Sequence, residues 1–478
     1  MRNYHQFYID GAWVAPAIGG EIIPVINPAT EEIAGSICMG GAEDVERAVA
    51  AAHKSFATYS KTSLKFRLDL LASVIAVYEQ RMDEMAKAIS EEMGAPMAAL
   101  AKPVQAPIGL WHLQTTMKLA RDYPFQQTMG STVLEKEPVG VCALITPWNW
   151  PMNQIACKVA PALAVGCTMI LKPSELAPFS SRIFAEILHE AGVPAGVFNM
   201  IFGDGERIGP LLSGHALVDM VSLTGSTRAG ASVTKHAADT IKVVSLELGG
   251  KSANIILDDA DFDAAVTHGV VQMMSNSGQS CNAPSRMFVP ASRIEEVERI
   301  AVAACSKVVV GDPSSPTTTI GPIANQRQYR RVQTMIDKGI TEGAKLLIGG
   351  CGRPADLARG YYAKPTVFSR ANNQMAIARE EIFGPVLTII PYQTEDDAIR
   401  MANDTDYGLS GYVYAGTVAR AREVGKQLRT GMVHLNGAGL DLAAPFGGFK
   451  QSGNGREWGV AGIEEFLEVK AMMGVDPG

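Results

Sequence analysis

Hydrophobic and polar residues follow two different rhythms along the chain. From 63 to 93 the apolar residues recur at helical spacing, and Gly94 follows them as a helix stop signal. From 139 onward, short apolar runs alternate with segments of helix length, such as 179–192. This alternation is typical of βαβ units, so it predicts a mostly parallel sheet with helices on both faces.

A second alternating set follows the first and predicts a second α/β domain. Its strand candidates are "SANIIL", "RMFVP", "VLTIIPY", "SGYVYAG" and "GMVHLN", and its helix candidates are 293–309, 326–342 and 417–429. The segment 121–140, between the early helices and the first sheet, is polar and contains turns and alternating stretches. We expect it to form exposed antiparallel strands, which usually need a partner edge.

Length and charge limit the classes of function. A chain of 478 residues predicts two or three domains. Its 42 basic and 49 acidic residues give a net charge of −7, which argues against a broad nucleic-acid or anionic-membrane surface. The amino-terminal residues have no signal-peptide core, and the longest apolar run, 159–171, is too short to span a bilayer. These features predict a cytoplasmic protein with no nucleic-acid or membrane partner.

The seven cysteines form no CxxC pair and no zinc-type cluster, which predicts reduced thiols and no metal site. A single cysteine is usually a small buried hydrophobe. Cys281 differs because it lies in "NSGQSCNAPSR", a polar, turn-rich stretch that predicts a reachable thiol and hence a nucleophile.

Two other residues suit chemistry at such a thiol. Glu247 interrupts the apolar run "SLEL", where a carboxylate is costly to bury unless it is functional, protonated or held in a strand-end salt bridge. It is the candidate general base. Asn149 stands in "TPWNWP", a stiff turn after a strand, and its amide is a candidate oxyanion donor.

Three strand-to-helix turns are candidates for binding a dinucleotide. The turn "FGDGERIG" has the spacing GxGxxxG, one residue longer than the usual fingerprint, and a glycine cluster of this kind is more often an ordinary turn than a cofactor site. In "LTGST", Thr224, Gly225 and Ser226 offer hydroxyls and amides at a helix start, although a simple helix cap has the same sequence. In "LKPSE", Lys172 and Glu175 fit an adenosine ribose, or form a solvated ion pair.

The motifs together resemble those of the NAD(P)-dependent aldehyde dehydrogenase superfamily over nearly the whole chain. The matching stretches occur in the family's order: "TPWNWP", "LKPSE", "SLTGST", "LELGGKSANII", "NSGQSC", "EEIFGPV" and "PFGGFKQSG".

The resemblance implies a role for each matching residue. Cys281 becomes the nucleophile, Glu247 the general base and Asn149 the oxyanion-hole amide. Residues implied to bind the cofactor are Ile145, Thr146, Trp148, Lys172, Ser174, Glu175, Gly205, Gly209, Thr224, Gly225, Ser226, Leu248, Gly249, Glu381 and Phe383. Residues implied to line the aldehyde pocket are Trp150, Asn153, Gln154, Cys157 and Phe446, with others near Leu440.

The resemblance also implies an architecture and an assembly. A Rossmann-like NAD-binding domain is expected over 1–120 and 139–248, and an α/β catalytic domain over 249–447. Segments 121–138 and 448–478 are expected to form a small antiparallel oligomerisation flap, which implies a homodimer or homotetramer.

The implied activity is oxidation of an aldehyde to a carboxylic acid through a cysteine thiohemiacetal and thioester. The cofactor is NAD, because a carboxylate at Glu175 repels a 2′-phosphate, with NADP as the alternative. Two rival interpretations remain at this point: a CoA-acylating dehydrogenase, and a silent structural or binding protein on the same fold. The sequence does not identify the aldehyde.

Overall fold

The computed structural model describes residues 1–475 and contains four β-sheets surrounded by helices. The strands are β1 (Arg2–Tyr4), β2 (Phe7–Ile9), β3 (Ala12–Val14), β4 (Ile22–Asn27), β5 (Glu32–Cys38), β6 (Gln126–Met129), β7 (Thr132–Pro138), β8 (Val141–Ile145), β9 (Thr168–Lys172), β10 (Phe198–Met200), β11 (Met220–Thr224), β12 (Val243–Glu247), β13 (Ala253–Ile256), β14 (Arg286–Pro290), β15 (Lys345–Ile348), β16 (Thr366–Ser369), β17 (Val386–Tyr392), β18 (Ser410–Tyr414), β19 (Met432–Leu435), β20 (Gly453–Asn454) and β21 (Leu467–Met473).

The α-helices are α1 (Ala42–Tyr59), α2 (Leu64–Gln80), α3 (Met82–Met93), α4 (Ala106–Arg121), α5 (Pro151–Val165), α6 (Pro178–Glu190), α7 (Gly205–Ser213), α8 (Thr227–Ala237), α9 (Phe262–Met274), α10 (Ile294–Cys305), α11 (Gln326–Thr341), α12 (Ala376–Arg379), α13 (Glu395–Asn403), α14 (Val418–Gly425) and α15 (Gly459–Glu464). A π-helical segment, Met97–Gln105, leads into α4. Within residues 1–475, no helix combines the length and hydropathy needed to cross a bilayer.

The first large sheet has the strand order β20-β12-β11-β8-β9-β10-β2-β3. Strands β8 to β12 are mutually parallel, whereas β2, β3 and β20 join antiparallel at the two sides. From β8 the chain proceeds outward through β9 to β10, and then returns to β11 on the other side of β8. The crevice between β8 and β11 is therefore the topological switch point, where ligands of such sheets usually bind.

The second large sheet has the order β15-β16-β17-β14-β13-β18-β19, and only the pairing of β15 with β16 is antiparallel. Separate apolar cores cover its two faces, as expected for parallel strands buried on both sides. The α/β fold class, with its second α/β unit, is confirmed. The domain boundaries stay a prediction; β20, in the segment expected to belong to the flap, pairs with the first sheet.

A third, small sheet has the order β21-β7-β6 and is fully antiparallel. It contains the strands expected in 121–138, and β21 supplies their partner edge. Residues 476–478, the end of the expected flap, lie outside the described residues. The remaining sheet, β1-β5-β4, covers the surface beside α3.

Two features of the helices follow from the sequence pattern. The apolar pattern at 63–93 forms α2 and α3, which meet at Arg81, and Gly94 ends α3 in the left-handed conformation with φ +76°. Helix α5 is buried along its whole length, which explains why its sequence lacks a polar face. It therefore holds Asn149, just before its first turn, on a rigid support.

Candidate active site

Four parallel strands of the first sheet deliver the predicted residues to one edge. Register pairs place Ile145 beside Lys172 and Thr224 beside Glu247, at the carboxyl ends of β8, β9, β11 and β12. The turns that follow these strands carry the predicted cofactor motifs. Because all four ends meet at the switch point, the structure brings these motifs together.

A cleft of about 860 Å³ opens at this edge. It is lined by the following predicted residues: Trp148, Asn149, Ser174, Glu175, Thr224, Gly225, Ser226, Leu248, Gly249, Cys281, Glu381 and Phe383. Ile145, Thr146, Lys172 and Gly205 are not part of the lining but lie next to it, since Thr146 N donates to Lys172 O and a Cβ on Gly205 would lie 3.7 Å from Lys172 Nζ. Gly209 is buried inside α7, away from the lining.

The side of the cleft formed by β9 and β11 suits a dinucleotide. Lys172 Nζ lies 3.3 Å from Glu175 Oε2, so a cation and a carboxylate stand together at the end of β9. Ser226 caps α8 by accepting from Ala229 N, so the first amides of α8 face the cleft beside Gly225. Thr146 Oγ1 is buried without a hydrogen-bond partner in residues 1–475. These groups fit the ribose and pyrophosphate of NAD.

Two consecutive glycines let the "LELGGK" turn approach both walls of the cleft. A Cβ on Gly249 would lie 2.4 Å from a Glu381 carboxylate oxygen, and one on Gly250 would lie 2.3 Å from the carbonyl oxygen of Cys281. Gly250 N also donates to Glu381 Oε1 at 3.0 Å. Burial raises the pKa of Glu381 to about 7. Only glycine fits at position 250, because the atom that its Cβ would meet belongs to the backbone.

Trp148 and Phe383 form an aromatic pair in the cleft, edge to face at 5.5 Å and 89°. Phe383 has φ +57°, a conformation that side chains rarely adopt. Its segment is fixed by Gln328, whose Nε2 donates to the carbonyl oxygens of Ile382 and Phe383. The strained backbone thus turns the Phe383 ring toward Trp148.

The loop before Cys281 is unusually rigid. Asn276, Ser277 and Gly278 all have left-handed backbone conformations, with φ of 52°, 55° and 70°. Ser277 Oγ donates to Gly321 O at 2.7 Å, and Gln279 Oε1 accepts from Ala324 N at 2.9 Å. Such a strained turn persists only where its surroundings determine it, and it is typical of functional sites.

Asn149 is anchored to the same loop. Its Nδ2 donates to Gln279 O at 3.0 Å, and its carbonyl oxygen accepts from Asn276 Nδ2 at 3.0 Å. Trp150, the next residue, donates from Nε1 to Ser280 Oγ at 2.8 Å. One N–H of the Asn149 amide remains for an oxyanion beside Cys281.

The Cys281 thiol is partly exposed and lines the cleft, as expected, but its electrostatics are not those of a preformed thiolate. Burial raises its pKa, as do the carboxylates of Glu247 and Glu381, while the amide of Asn282 lowers it slightly. The thiol therefore needs a base to become a nucleophile.

Glu247 ends β12 with a buried carboxylate, and both of its oxygens lack a hydrogen-bond partner among the described residues. The strand-end salt bridge is therefore not seen. Burial raises the pKa of Glu247, the Glu457 carboxylate raises it further, and the Lys158 ammonium opposes this. A carboxyl group with a raised pKa and no fixed partner is suited to accept a proton near neutral pH.

Sequence reasoning missed a buried ion pair beside Glu247. Lys158 Nζ pairs with Glu457 Oε1 and also donates to Ser222 Oγ at 3.1 Å. Cys157 Sγ donates to Glu457 Oε2 at 3.3 Å. The partners lie far apart in sequence, so no local pattern shows the pair; a lysine inside the apolar helix α5 was the available signal.

The predicted aldehyde side lies next to Cys281. Cys157, Phe446, Trp458 and Leu409 form a small buried cluster against which Cys281 packs. Beyond it is a narrow cavity of about 10 Å³, and its lining includes Cys157. That volume is enough for about one water.

Of the other predicted aldehyde-side residues, Asn153 and Gln154 are buried and Trp150 is half-buried. Asn153 Oδ1 pairs with His112 Nε2 at 2.7 Å, a partner that sequence reasoning missed. Trp150 is engaged by Ser280, and Gln154 has an amide oxygen with no partner in residues 1–475. Leu440 is exposed. Among residues 1–475 no group of three His, Cys, Asp or Glu side chains could hold a metal ion.

Comparison with known proteins identifies the family of the chain. The family model described as "Aldehyde dehydrogenase family" matches residues 13–472. A Pseudomonas sp. protein named 3-succinoylsemialdehyde-pyridine dehydrogenase is 60% identical over 476 residues, covering 100% of both chains.

Solved structures give the same result. An aldehyde dehydrogenase C mutant from Pseudomonas syringae, in complex with NAD+ and octanal, has TM-score 0.98 and 51% identity, over 99% of this chain and 97% of that one. A Mycobacterium tuberculosis aldehyde dehydrogenase complexed with NAD+ has TM-score 0.96 and 38% identity, over 98% of each chain. With its motifs gathered at one sheet edge and these relatives matched along its length, the chain belongs to the aldehyde dehydrogenase family.

Proposed function

We propose that this enzyme oxidises an aldehyde to a carboxylic acid with NAD+, through a thioester on Cys281. The observation that carries this proposal is that Cys281 and Asn149 line one cleft, while Glu247, at the end of β12, is close enough for its carboxylate to raise the pKa of the Cys281 thiol. A thiol, an amide donor and an unpartnered buried carboxyl group are what the two half-reactions need.

In the first half-reaction, the Cys281 thiol gives its proton to water, which carries it to solvent, and the thiolate sulfur attacks the aldehyde carbon. The carbonyl oxygen gains negative charge, and the Asn149 amide and the backbone N–H of Cys281 stabilise it. Bound NAD+ supplies the hydride acceptor, and the carbon becomes a thioester. Most of the predicted cofactor residues, Trp148 and Phe383 among them, line the same cleft as Cys281, which supports this step.

In the second half-reaction, Glu247 takes a proton from water, which attacks the thioester carbon. The C–S bond breaks, the acid leaves and the Cys281 sulfur is regenerated. Glu247 is suited to this role because burial raises its pKa, which makes the carboxylate a stronger base than an exposed one.

NAD is the cofactor we assign. The NAD+ complexes of the two neighbouring structures and the Lys172–Glu175 pair in the cleft support this assignment. Glu175 is partly buried at the end of β9, where a second phosphate on the ribose would meet its carboxylate.

The names of the relatives support an aldehyde substrate without fixing it. One acts on a semialdehyde that carries a pyridine, and another binds octanal. Both fit a thiol site with an apolar wall. An unbranched aldehyde is therefore a suitable first substrate for assays.

The rival CoA-acylating reaction is less well supported, because it has no need for a buried base beside the thioester. Turnover with octanal and NAD+ in the absence of CoA is the expected result, and Glu247→Gln should slow it strongly. Turnover that requires CoA and tolerates Glu247→Gln would contradict the proposal. Absence of NADH formation with aliphatic, aromatic and semialdehyde substrates would favour a silent binding protein.

We also propose self-association through the β21-β7-β6 flap. Strand β21 is an edge strand whose Val469, Met472 and Met473 side chains are exposed, and such an edge favours pairing with another copy. Light scattering should show a dimer or tetramer that Val469→Lys weakens. A monomer of the wild-type chain would contradict this.

A further inference from the structure

Trp458 has a strained backbone in the wall beside Cys281. Its φ of 65° and ψ of 160° belong to a region that is nearly restricted to glycine. On one side, Glu457 is fixed by its ion pair with Lys158 and by two backbone hydrogen bonds to Phe446. This arrangement forces the Trp458 ring inward.

The ring of Trp458 is almost fully enclosed. It packs on Phe446 with ring centroids 4.4 Å apart and lies 5.1 Å from the His112 ring. Only 5% of the residue is exposed. Its ring is therefore held in one place by aromatic neighbours from two distant segments.

The polar atom of this ring is left without a partner. In the described part of the chain, Trp458 Nε1 is buried and has no hydrogen-bond acceptor. Trp150, at the same site, donates its indole N–H to Ser280 Oγ. Because buried N–H groups are normally paired, the contrast indicates that the acceptor for Trp458 comes from a bound molecule.

The surroundings of Trp458 are uncharged on the cavity side. Thr115, Thr116, Leu442 and Cys157 share the cavity wall with it. Burial lowers the pKa of His112 to about 4, so its ring is neutral at neutral pH. A neutral acceptor suits this wall better than an anion, which would find no cation there.

We propose that Trp458 is a specificity residue whose indole N–H donates to a neutral acceptor, a carbonyl oxygen or a heteroaromatic nitrogen, in the tail of the aldehyde. The enzyme then favours aldehydes that carry such an acceptor over plain alkyl aldehydes of equal length. This inference rests on the proposed aldehyde oxidation. Because the cavity holds about one water, a longer tail has to displace Leu442, which comes from the irregular segment after β19.

The test compares octanal with 4-, 5- and 6-oxooctanal in steady-state assays with NAD+. We expect at least one oxo-aldehyde to exceed octanal in kcat/KM by about tenfold, the usual worth of one good hydrogen bond in a dry site. Trp458→Phe keeps the aromatic ring but removes the N–H, and should abolish this preference, measured as the ratio of kcat/KM for the oxo-aldehyde to kcat/KM for octanal. Trp111→Phe, on the exposed side of α4, is the matched control and should keep the preference.

The inference would be overturned if the wild-type enzyme preferred none of the oxo-aldehydes over octanal. It would also be overturned if the Trp458→Phe variant kept the preference. An equal loss for all aldehydes would also contradict it, since it would show a packing role alone. If Trp458→Phe does not fold, replacing the indole with benzothiophene, which has sulfur in place of N–H, supplies the same test. Failure of every aldehyde, octanal included, would instead contradict the proposed oxidation itself.

Discussion

The two sides of Cys281 are built in different ways. The cofactor side is an open cleft of about 860 Å³ formed by strand ends, helix starts and glycines. The proposed aldehyde side is a narrow cavity of about 10 Å³ formed by residues of α4, α5 and the segment around Trp458. The first side depends on backbone positions and the second on side-chain packing. The first therefore suits a constant ligand and the second suits a variable one.

The largest effect short of removing the thiol is expected at Asn149, which serves both sides. Asn149→Ala should lower kcat by two to three decades, because one oxyanion donor is lost. The affinity for NAD+ should stay within about threefold, since the change leaves the dinucleotide groups in place. Stopped-flow hydride transfer and NAD+ titration measure the two quantities. A loss of NAD+ affinity with unchanged kcat would show that Asn149 belongs to the cofactor side alone.

The next largest effect on activity is expected at Gly250, where the backbone passes close to the backbone of Cys281. Gly250→Ala places a methyl group 2.3 Å from the carbonyl oxygen of Cys281, so the nucleophile must move. A displacement of about 1 Å typically costs about a hundredfold in rate, and kcat/KM for octanal should fall by that factor. Gly19→Ala, which meets no atom within 4 Å, is the control and should leave activity unchanged. Equal activity of both variants would contradict the assigned contact.

A smaller effect concerns pH. Glu247 acts as a base only when deprotonated, so its raised pKa makes activity fall as the pH drops through that value. Because the Lys158 ammonium lowers the pKa of Glu247, Lys158→Met should move this acidic limb to higher pH.

The double variant Lys158→Met with Glu457→Gln is its control, since it also removes the carboxylate that raises the pKa of Glu247. In this double variant, the acidic limb of the pH profile should return toward its wild-type position. The pH profile of the deacylation rate makes the comparison. An unchanged limb in Lys158→Met would show that the ion pair serves packing alone.

The smallest effect is expected on the closed side. Leu442→Ala widens the cavity, so the ratio of kcat/KM for octanal over propanal should rise by less than about tenfold. Leu440→Ala, in the same segment but exposed, should leave the ratio unchanged. Steady-state assays with both aldehydes measure this ratio. An equal ratio in the wild-type enzyme, Leu442→Ala and Leu440→Ala would show that the aldehyde tail binds elsewhere.

Much of the fold and of the cofactor side could be predicted from sequence. Apolar runs of strand length marked β8 to β14, and turn motifs stood directly after β9 and β11, because parallel strands bring such turns to one edge. The proposed general base, Glu247, was visible as a carboxylate inside an apolar strand. Even so, the helical pattern over 63–93 forms two helices rather than one. The helix is interrupted at Arg81, and the spacing of apolar residues does not indicate such an interruption.

The aldehyde side was less predictable. The Lys158–Glu457 pair and the His112–Asn153 pair join residues from distant segments, and periodicity carries no information about such contacts. The same holds for Trp458, whose strained backbone depends on its neighbours rather than on its own residue type. Gly209 matched a motif but lies inside α7, because the GxGxxxG spacing places it about one turn after the helix begins at Gly205.

The central claim is that Cys281 carries an acyl group that Glu247-activated water removes. Intact-protein mass spectrometry of Glu247→Gln, mixed with octanal and NAD+, tests it most directly. The account predicts an octanoyl adduct on Cys281 with one equivalent of NADH formed, and no adduct in Cys281→Ala or in the wild-type enzyme after turnover. NADH formation without an adduct on Cys281, or an adduct on another residue, would contradict it.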